Sequence, residues 1–520
     1  MFAVILLAFS VILLAPMSAL SNASPEHVYY GYVPVGTDAG DINMFPQRRN
    51  IEELINKVIY NYTPPEETAL LDVIGIHDDT HVEIWDILAK KRIGSKTINR
   101  LEKWTSFIKF GTFFKVVADK RVSVYQNGGC WFYGANGDTT FYPSDEGGFI
   151  GKKFTFTPPG FPNAYITYYL GSNFLVTALE DTHVTLYDST GNEVMGFDLE
   201  QGASLPYNRG RLIARRNKGM PTHGGGDSII FYVESTGLVT IRTLNQRSFL
   251  AVQAVTGGFV GKLFVTPATL AVDEPGAEEV LIIVPIEPGK VSVYDTKMNL
   301  LAEKEFSQAD VDNKEYWYHS LGKSSQTLII KSTCKITVLE GSTYIPPELG
   351  KTTIGIEDLG SNIAYMGARR DEETRFYVPT TGVLFAPEDL TAEIDGETKT
   401  LKRDEFVLLD SGVHSVTPDH EMIIQLNCAG NIMRVEIWGG PGWVGGSTGE
   451  LQEVKRTCWT DWGSYLITVE DVKKTFEVPS GFGETAVGGG IDWNLIVPSV
   501  IVVVAVAGVG LFFLKKRRSR

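Results

Sequence analysis

The sequence predicts an all-β protein: tandem β-sandwich-like repeats of about 100 residues, followed by one C-terminal transmembrane helix. Three observations carry this. Gly 53 and Pro 24 beside 11% aromatic residues favour many short strands and turns over helical bundles. Three kinds of segment recur in the same order along the chain. Near the end, twenty residues pass without a charge.

Composition narrows the class. A chain of 520 residues exceeds what one hydrophobic core usually serves. Apolar residues at 43% and charged residues at 21% exclude a mostly disordered chain and a polytopic membrane protein. The formal net charge of -15 argues against nucleic acid as a partner, because phosphate needs a basic face.

Residues 1–23 have a short apolar core from Val4 to Leu14 and small residues at Met17-Ser18-Ala19 and Asn22-Ala23. They read as a secretory signal peptide, although no Lys or Arg precedes the apolar run. At the other end, residues 495–514 are long enough to cross a hydrocarbon core of ~30 Å. Trp493 stands at the outer boundary, and the tail 515–520 carries five positive charges that hold it in the cytoplasm. The expected topology is a single-pass type I protein of the cell membrane, with the bulk of the chain extracellular.

Between these ends lie four expected units. The first piece of each is aromatic: YYGYVPVG at 29–36, KKFTFTPPG at 152–160, KLFVTPATL at 262–270 and RFYVPTTG at 375–382. The second is a strand, a tight turn and another strand, as in LLDVIGIHDDTHVEIWD at 70–86 and NFLVTALEDTHVTLYD at 173–188. In it Val82, Val184, Val291 and Ala392 share one slot, at intervals of 102, 107 and 101 residues. Side chains alternate around that slot, the mark of a strand with one face on a core. The third is a closing strand pair, as at 113–125, 229–244, 328–339 and 422–437.

The units are placed at 24–148 (with a short helical insertion at 50–62), 149–258, 259–372 and 373–449. A membrane-proximal β element at 450–478 and a flexible stalk at 479–494 follow. In the second unit strands are expected at 152–157, 164–171, 173–180, 182–188, 193–199, 228–234, 238–244 and 248–255. That number suits one β-sandwich, and also two four-stranded blades of a β-propeller, the alternative architecture.

Gly151-Lys152-Lys153-Phe154, Glu180-Asp181-Thr182-His183-Val184 and Ala118-Asp119-Lys120-Arg121-Val122-Ser123-Val124 together resemble the repeats of the IgGFc-binding protein N-terminal domain family. The resemblance covers residues 65–345 and fits the fourth unit poorly. It implies extracellular binding or adhesion by β-rich repeats, and it brings no catalytic residues.

Candidate chemistry is thin. His77, Asp78, Asp79 and His81 form the densest polar cluster, but His183 recurs at the slot of His81, which points to a hairpin role. His223-Gly224-Gly225-Gly226 and Gly445-Gly446-Ser447-Thr448-Gly449 imitate hydrolase motifs without the strand and helix those motifs need. Asp310, Asp312, Asn313 and Glu315, like Asp188 and Glu193, offer oxygens suited to calcium, without a complete calcium loop. No cofactor is expected otherwise, and no metal ligand set is assigned.

Four cysteines in an exported chain allow two disulfides, with Cys428 and Cys458 as the preferred pair. Asn61 heads a glycosylation sequon. Trp131, Tyr133, Phe141 and Tyr142 form the candidate partner surface, suited to a protein or a glycan. The expected function is therefore non-catalytic: adhesion, partner binding or envelope structure at the cell surface. An extracellular membrane-anchored hydrolase and a structural subunit of a membrane complex are the alternatives.

Overall fold

The computed structural model describes residues 26–33, 68–109, 111–127, 141–157, 174–188, 190–207, 230–243, 249–268, 277–322, 326–344, 363–379, 381–427, 433–434, 453–454 and 463–484. They form an all-β protein of several antiparallel sheets. The expected signal peptide 1–23, helical insertion 50–62, strand 164–171 and membrane span 495–514 lie outside the described residues. Among the described residues no helix is long and apolar enough to cross a membrane.

The first unit contains β1 (His27–Tyr32), β2 (Thr68–Gly75), β3 (Thr80–Asp86), β4 (Lys91–Ile98), β5 (Lys103–Lys109), β6 (Phe113–Ala118) and β7 (Val122–Asn127). One sheet runs β1-β6-β3-β4, and the other places β7 beside β2 and β2 beside β5. The second unit contains β8 (Gly151–Phe156), β9 (Phe174–Ala178), β10 (Thr182–Tyr187), β11 (Glu193–Leu199), β12 (Ser204–Tyr207) and β13 (Phe231–Thr243). The start of β13 pairs with β8 and β10 and its end pairs with β9, so it serves as both β6 and β7.

The third unit repeats this with β14 (Phe249–Ala251), β15 (Gly261–Ala268), β16 (Ala277–Pro285), β17 (Gly289–Asp295), β18 (Leu300–Phe306), β19 (Trp317–Gly322) and the long β20 (Gln326–Tyr344). The fourth has β21 (Ile363–Ala368), β22 (Thr374–Val378), β23 (Thr381–Phe385), β24 (Leu390–Ile394), β25 (Glu397–Leu401), β26 (Phe406–Leu409), β27 (Gly412–Pro418) and β28 (Met422–Asn427). Its sheets run β22-β27-β24-β25 and β21-β28-β23-β26. A two-stranded pair, β29 (Met433–Arg434) and β30 (Glu453–Val454), precedes β31 (Gly463–Tyr465).

The alternation read from sequence explains the inner strand of each unit. Val82 and Ile84, Val184 and Leu186, Val291 and Val293, and Ala392 and Ile394 are all buried, whereas His81 and His183 face out. Burying one such branched side chain contributes roughly 1.5–3 kcal/mol.

The turn before each of these strands is held by one repeated hydrogen bond. The backbone N–H of His81 donates to Asp119 Oδ1 at 2.8 Å, and that of His183 to Thr236 Oγ1 at 2.9 Å. Lys290 donates to Thr333 at 2.9 Å and Thr391 to Asp419 at 2.8 Å in the same way. The acidic turn residues also serve locally, since Asp78 accepts from the N–H of Arg100 and Asp181 from that of Gln201.

Several boundaries differ from expectation. The described parts of the expected strands 228–234 and 238–244 belong to one continuous strand, β13, because the chain passes from the partners β8 and β10 to the partner β9 without a turn. Strand β12 was not anticipated; Pro206 in it masked the signal. The segment 248–255 does not close the second unit: β14 pairs with β20 of the third. Likewise β21 opens the fourth unit ahead of residue 373, and Phe141 bridges to Arg242 of the second ahead of residue 149. The third and fourth units therefore begin with a leading strand before the aromatic piece, and the second with a leading bridge.

The first unit takes its leading strand from elsewhere. β31 pairs with β7, through Gly463–Asn127, Ser464–Gln126 and Tyr465–Tyr125. Residues 463–465 are thus an edge of the first unit and no separate membrane-proximal element. Residues 479–484, expected in the stalk, pack on the units instead, with Phe482 buried against Ile150, Leu179, Val255 and Val265.

Candidate functional site

The leading strands meet at the centre of the molecule. β14 packs against β21, β21 against β31, and the rings of Tyr465 and Tyr142 meet edge to face at 4.9 Å. Beside each leading strand or bridge, at one equivalent position, stands a buried polar residue: Gln126, Arg242, Glu340 and Gln425. These residues pair across unit boundaries. Arg242 Nη1 donates to Glu340 Oε1 at 2.6 Å, and Thr266 donates to the other carboxylate oxygen. The Tyr365 hydroxyl donates toward Gln126 Oε1 at 2.9 Å and Gln425 Oε1 at 3.1 Å. Both amides donate to the carbonyl of Tyr32, and the N–H of Tyr32 donates to Gln425.

The C-terminal segment 463–484 runs across this centre. After β31, Thr468 begins a short helix, Val469–Lys473, with a capping box to Asp471. Asp471 is buried, and its Oδ1 accepts from Arg121 Nη2 at 2.5 Å and from the N–H of Gly148 at 2.6 Å. Gly148 has φ +73°, a conformation glycine adopts at little cost. Arg369 donates to the carbonyls of Val472 and Lys474, and Gly367 lies so close that a Cβ there would meet Val472 at 2.1 Å. Further on, the N–H of Phe476 donates to Thr256, Gln201 to Ser480 and Lys331 to Gly483. One short segment therefore touches all four units.

Burial sets the electrostatics here. It disfavours the charged form of Arg121, yet the neighbouring Asp471 carboxylate holds that guanidinium above its usual value. Burial pushes the Tyr29 hydroxyl up to about 12, while it donates to the Val122 carbonyl at 2.6 Å. Asp145 is only partly covered as a residue, but its carboxyl group is enclosed. Its Oδ2 accepts from Thr155 at 2.9 Å, its Oδ1 has no hydrogen-bond partner, and burial raises its pKa to about 6.

The residues singled out from sequence fare unevenly. Phe141 and Tyr142 are buried, so they belong to the core and to no partner surface; Tyr142 stacks on Phe156 at 4.1 Å. Their loop-rich neighbourhood hid the leading bridge that packs them. Trp131 and Tyr133, Cys428 and Cys458, Asn61, His223 and the glycine run 445–449 lie outside the described residues. Cys334 is a buried free thiol. His81 lies 3.6 Å from Glu83, and His183 lies 2.7 Å from Asp198, both at the surface.

Among the described residues no three His, Cys, Asp or Glu side chains gather as a metal site. Asp310 accepts from Ser307 within its own helix cap, and Asp188 accepts from Thr190 and Asn192 within its own turn. Sequence reading missed Arg121, Arg242, Glu340 and Asp471. Arg242 in LVTIRTL and Glu340 in ITVLEG interrupt apolar strands, which was the available signal. Thr468-Val469-Glu470-Asp471 has the capping pattern.

What these residues define is an all-β protein of antiparallel sheets with a buried polar centre. No family model matches the chain, and no curated protein matches it. Among solved structures, it is similar to a mutant phosphomannose isomerase from Salmonella typhimurium at 9% identity, over 29% of this chain and 66% of that one, with a TM-score of 0.12. A cupin 2 conserved barrel domain protein from Leptotrichia buccalis matches at 12% identity, over 32% of this chain and 78% of that one, with a TM-score of 0.12. The BSP domain of a biofilm associated protein matches at 11% identity, over 81% of this chain and 69% of that one, with a TM-score of 0.10. At such scores these likenesses carry no argument about chemistry or partners.

Proposed function

We propose that this chain is a non-catalytic cell-surface protein, single-pass and type I, whose β-repeat head binds an extracellular protein or glycan or builds the cell envelope. The observation that carries the reading is the uncharged run 495–514 between Trp493 and the basic tail 515–520. The head's last described residue, Glu484, precedes that run by about ten residues, a short tether. Outside the tail the charge is near -20, which suits a soluble surface head and favours cationic partners.

Tandem β-sandwiches are the architecture we favour, since the first and fourth units each divide into two four-stranded sheets. Glycosylation at Asn61, pairing of Cys428 with Cys458 and the resemblance to IgGFc-binding repeats belong to the same reading. Calcium at the acidic turns is a further part of it.

Labelling of intact cells with a membrane-impermeant amine reagent tests it. The head lysines are expected to react while the tail lysines Lys515 and Lys516 do so only after permeabilisation. Equal protection of head and tail in intact cells would overturn the reading.

A further inference from the structure

The first unit is incomplete without residues 463–484. In the third and fourth units the chain supplies a leading strand just before the aromatic piece, and in the second the single bridge of Phe141 to Arg242 takes that place. In the first unit that edge of β7 is filled by β31, from the far end of the sequence. The site is built beyond backbone pairing. Tyr465 is buried, and its hydroxyl donates to the carbonyl of Thr157 at 2.7 Å and accepts from the Thr157 N–H at 2.8 Å. Six residues on, the Asp471 carboxylate meets the buried guanidinium of Arg121 at 2.5 Å. The remaining oxygen of Asp471 accepts from the N–H and hydroxyl of Thr468.

We propose that the first unit carries a strand-accepting groove, and that its ligand is a peptide whose strand-forming aromatic residue is followed, six positions later, by a carboxylate in a short helical turn. The chain's own segment 463–484 occupies it as a detachable strap. The strap closes the four units because it is bound to all of them, through Arg121, Gly148, Thr256 and Arg369. Three ladder residues make a short pairing. Selectivity therefore rests on the two side-chain anchors: a ring between two units and a carboxylate desolvated beside its cation. This does not depend on where the protein resides in the cell.

The experiment uses the full-length chain with a specific protease site placed within residues 455–461. After cutting, fluorescent peptide 462–486 is added in excess, and amide exchange of β7 is followed by mass spectrometry. The labelled peptide is expected to enter at one per head, and its Asp471→Asn and Tyr465→Ala forms at least tenfold more weakly. Residues 122–127 lose protection when the strap is washed away and regain it with the peptide. Three results would overturn the proposal: no entry of peptide, entry indifferent to both substitutions, or unchanged protection of β7 after the strap has left. Irreversible loss of the folded head on cutting would overturn detachability.

Discussion

Two interfaces use the same strand position in opposite ways. Between the second and third units, Arg242 and Glu340 form an ion pair with side chains only 1% and 0% exposed. Between the first and fourth, Gln126 and Gln425 share Tyr365 and the backbone of Tyr32, with no charge involved. An amide carries donor and acceptor together, so two glutamines satisfy a neighbour's backbone without needing a counter-charge. An ion pair needs both partners, and removing one leaves a charge in a medium that penalises it. Similar burial thus gives two interfaces with different tolerance.

The largest effect should come from breaking the charged interface on one side. Glu340→Ala is expected to destabilise the head by about 3–5 kcal/mol in denaturant unfolding, whereas the double change Arg242→Met, Glu340→Leu costs far less. If the single and double variants lose equally, the contrast fails. Gln425→Leu attacks the neutral interface; it removes the acceptor for the Tyr32 N–H and one donor to its carbonyl. A cost of about 2 kcal/mol is expected, below that of Glu340→Ala.

An enclosed carboxylate on which burial outweighs the pull of the nearby Arg121 sharpens the comparison. Asp145 has a folded pKa of about 6 against an ordinary 3.8, so the folded state binds protons more readily than the unfolded one. Its contribution to stability is therefore full below pH ~4 and is lost as pH rises through ~6. Asp145→Asn should raise stability at pH 7.5 by on the order of 1 kcal/mol and gain little at pH 4, read from paired melting curves. A gain equal at both pH values would show that charge is not the cause. An effect of similar small size, about 0.5–1.5 kcal/mol, is expected from Tyr365→Phe, because each glutamine keeps its bond to Tyr32.

Much of the fold was legible because it is local. Val82 and Ile84 announced their strand by alternation, and the hairpin role of the acidic turn shows in the bond from the Arg100 N–H to Asp78. The candidate partner surface was misread at Phe141 and Tyr142, since an aromatic in a loop-rich stretch looks the same whether it faces solvent or a neighbouring unit. Arg242 and Glu340 stand 98 residues apart, so nothing in either neighbourhood indicates that each answers the other.

By itself the sequence determined strand periodicity, the four recurrences and the apolar run, because each depends on residues close along the chain. Tertiary structure alone decided that Gly463–Tyr465 completes a sheet begun at Thr68, and that Asp471 meets Arg121. A sheet edge accepts any strand of suitable backbone, so which segment fills it is settled by where packing brings the two ends together.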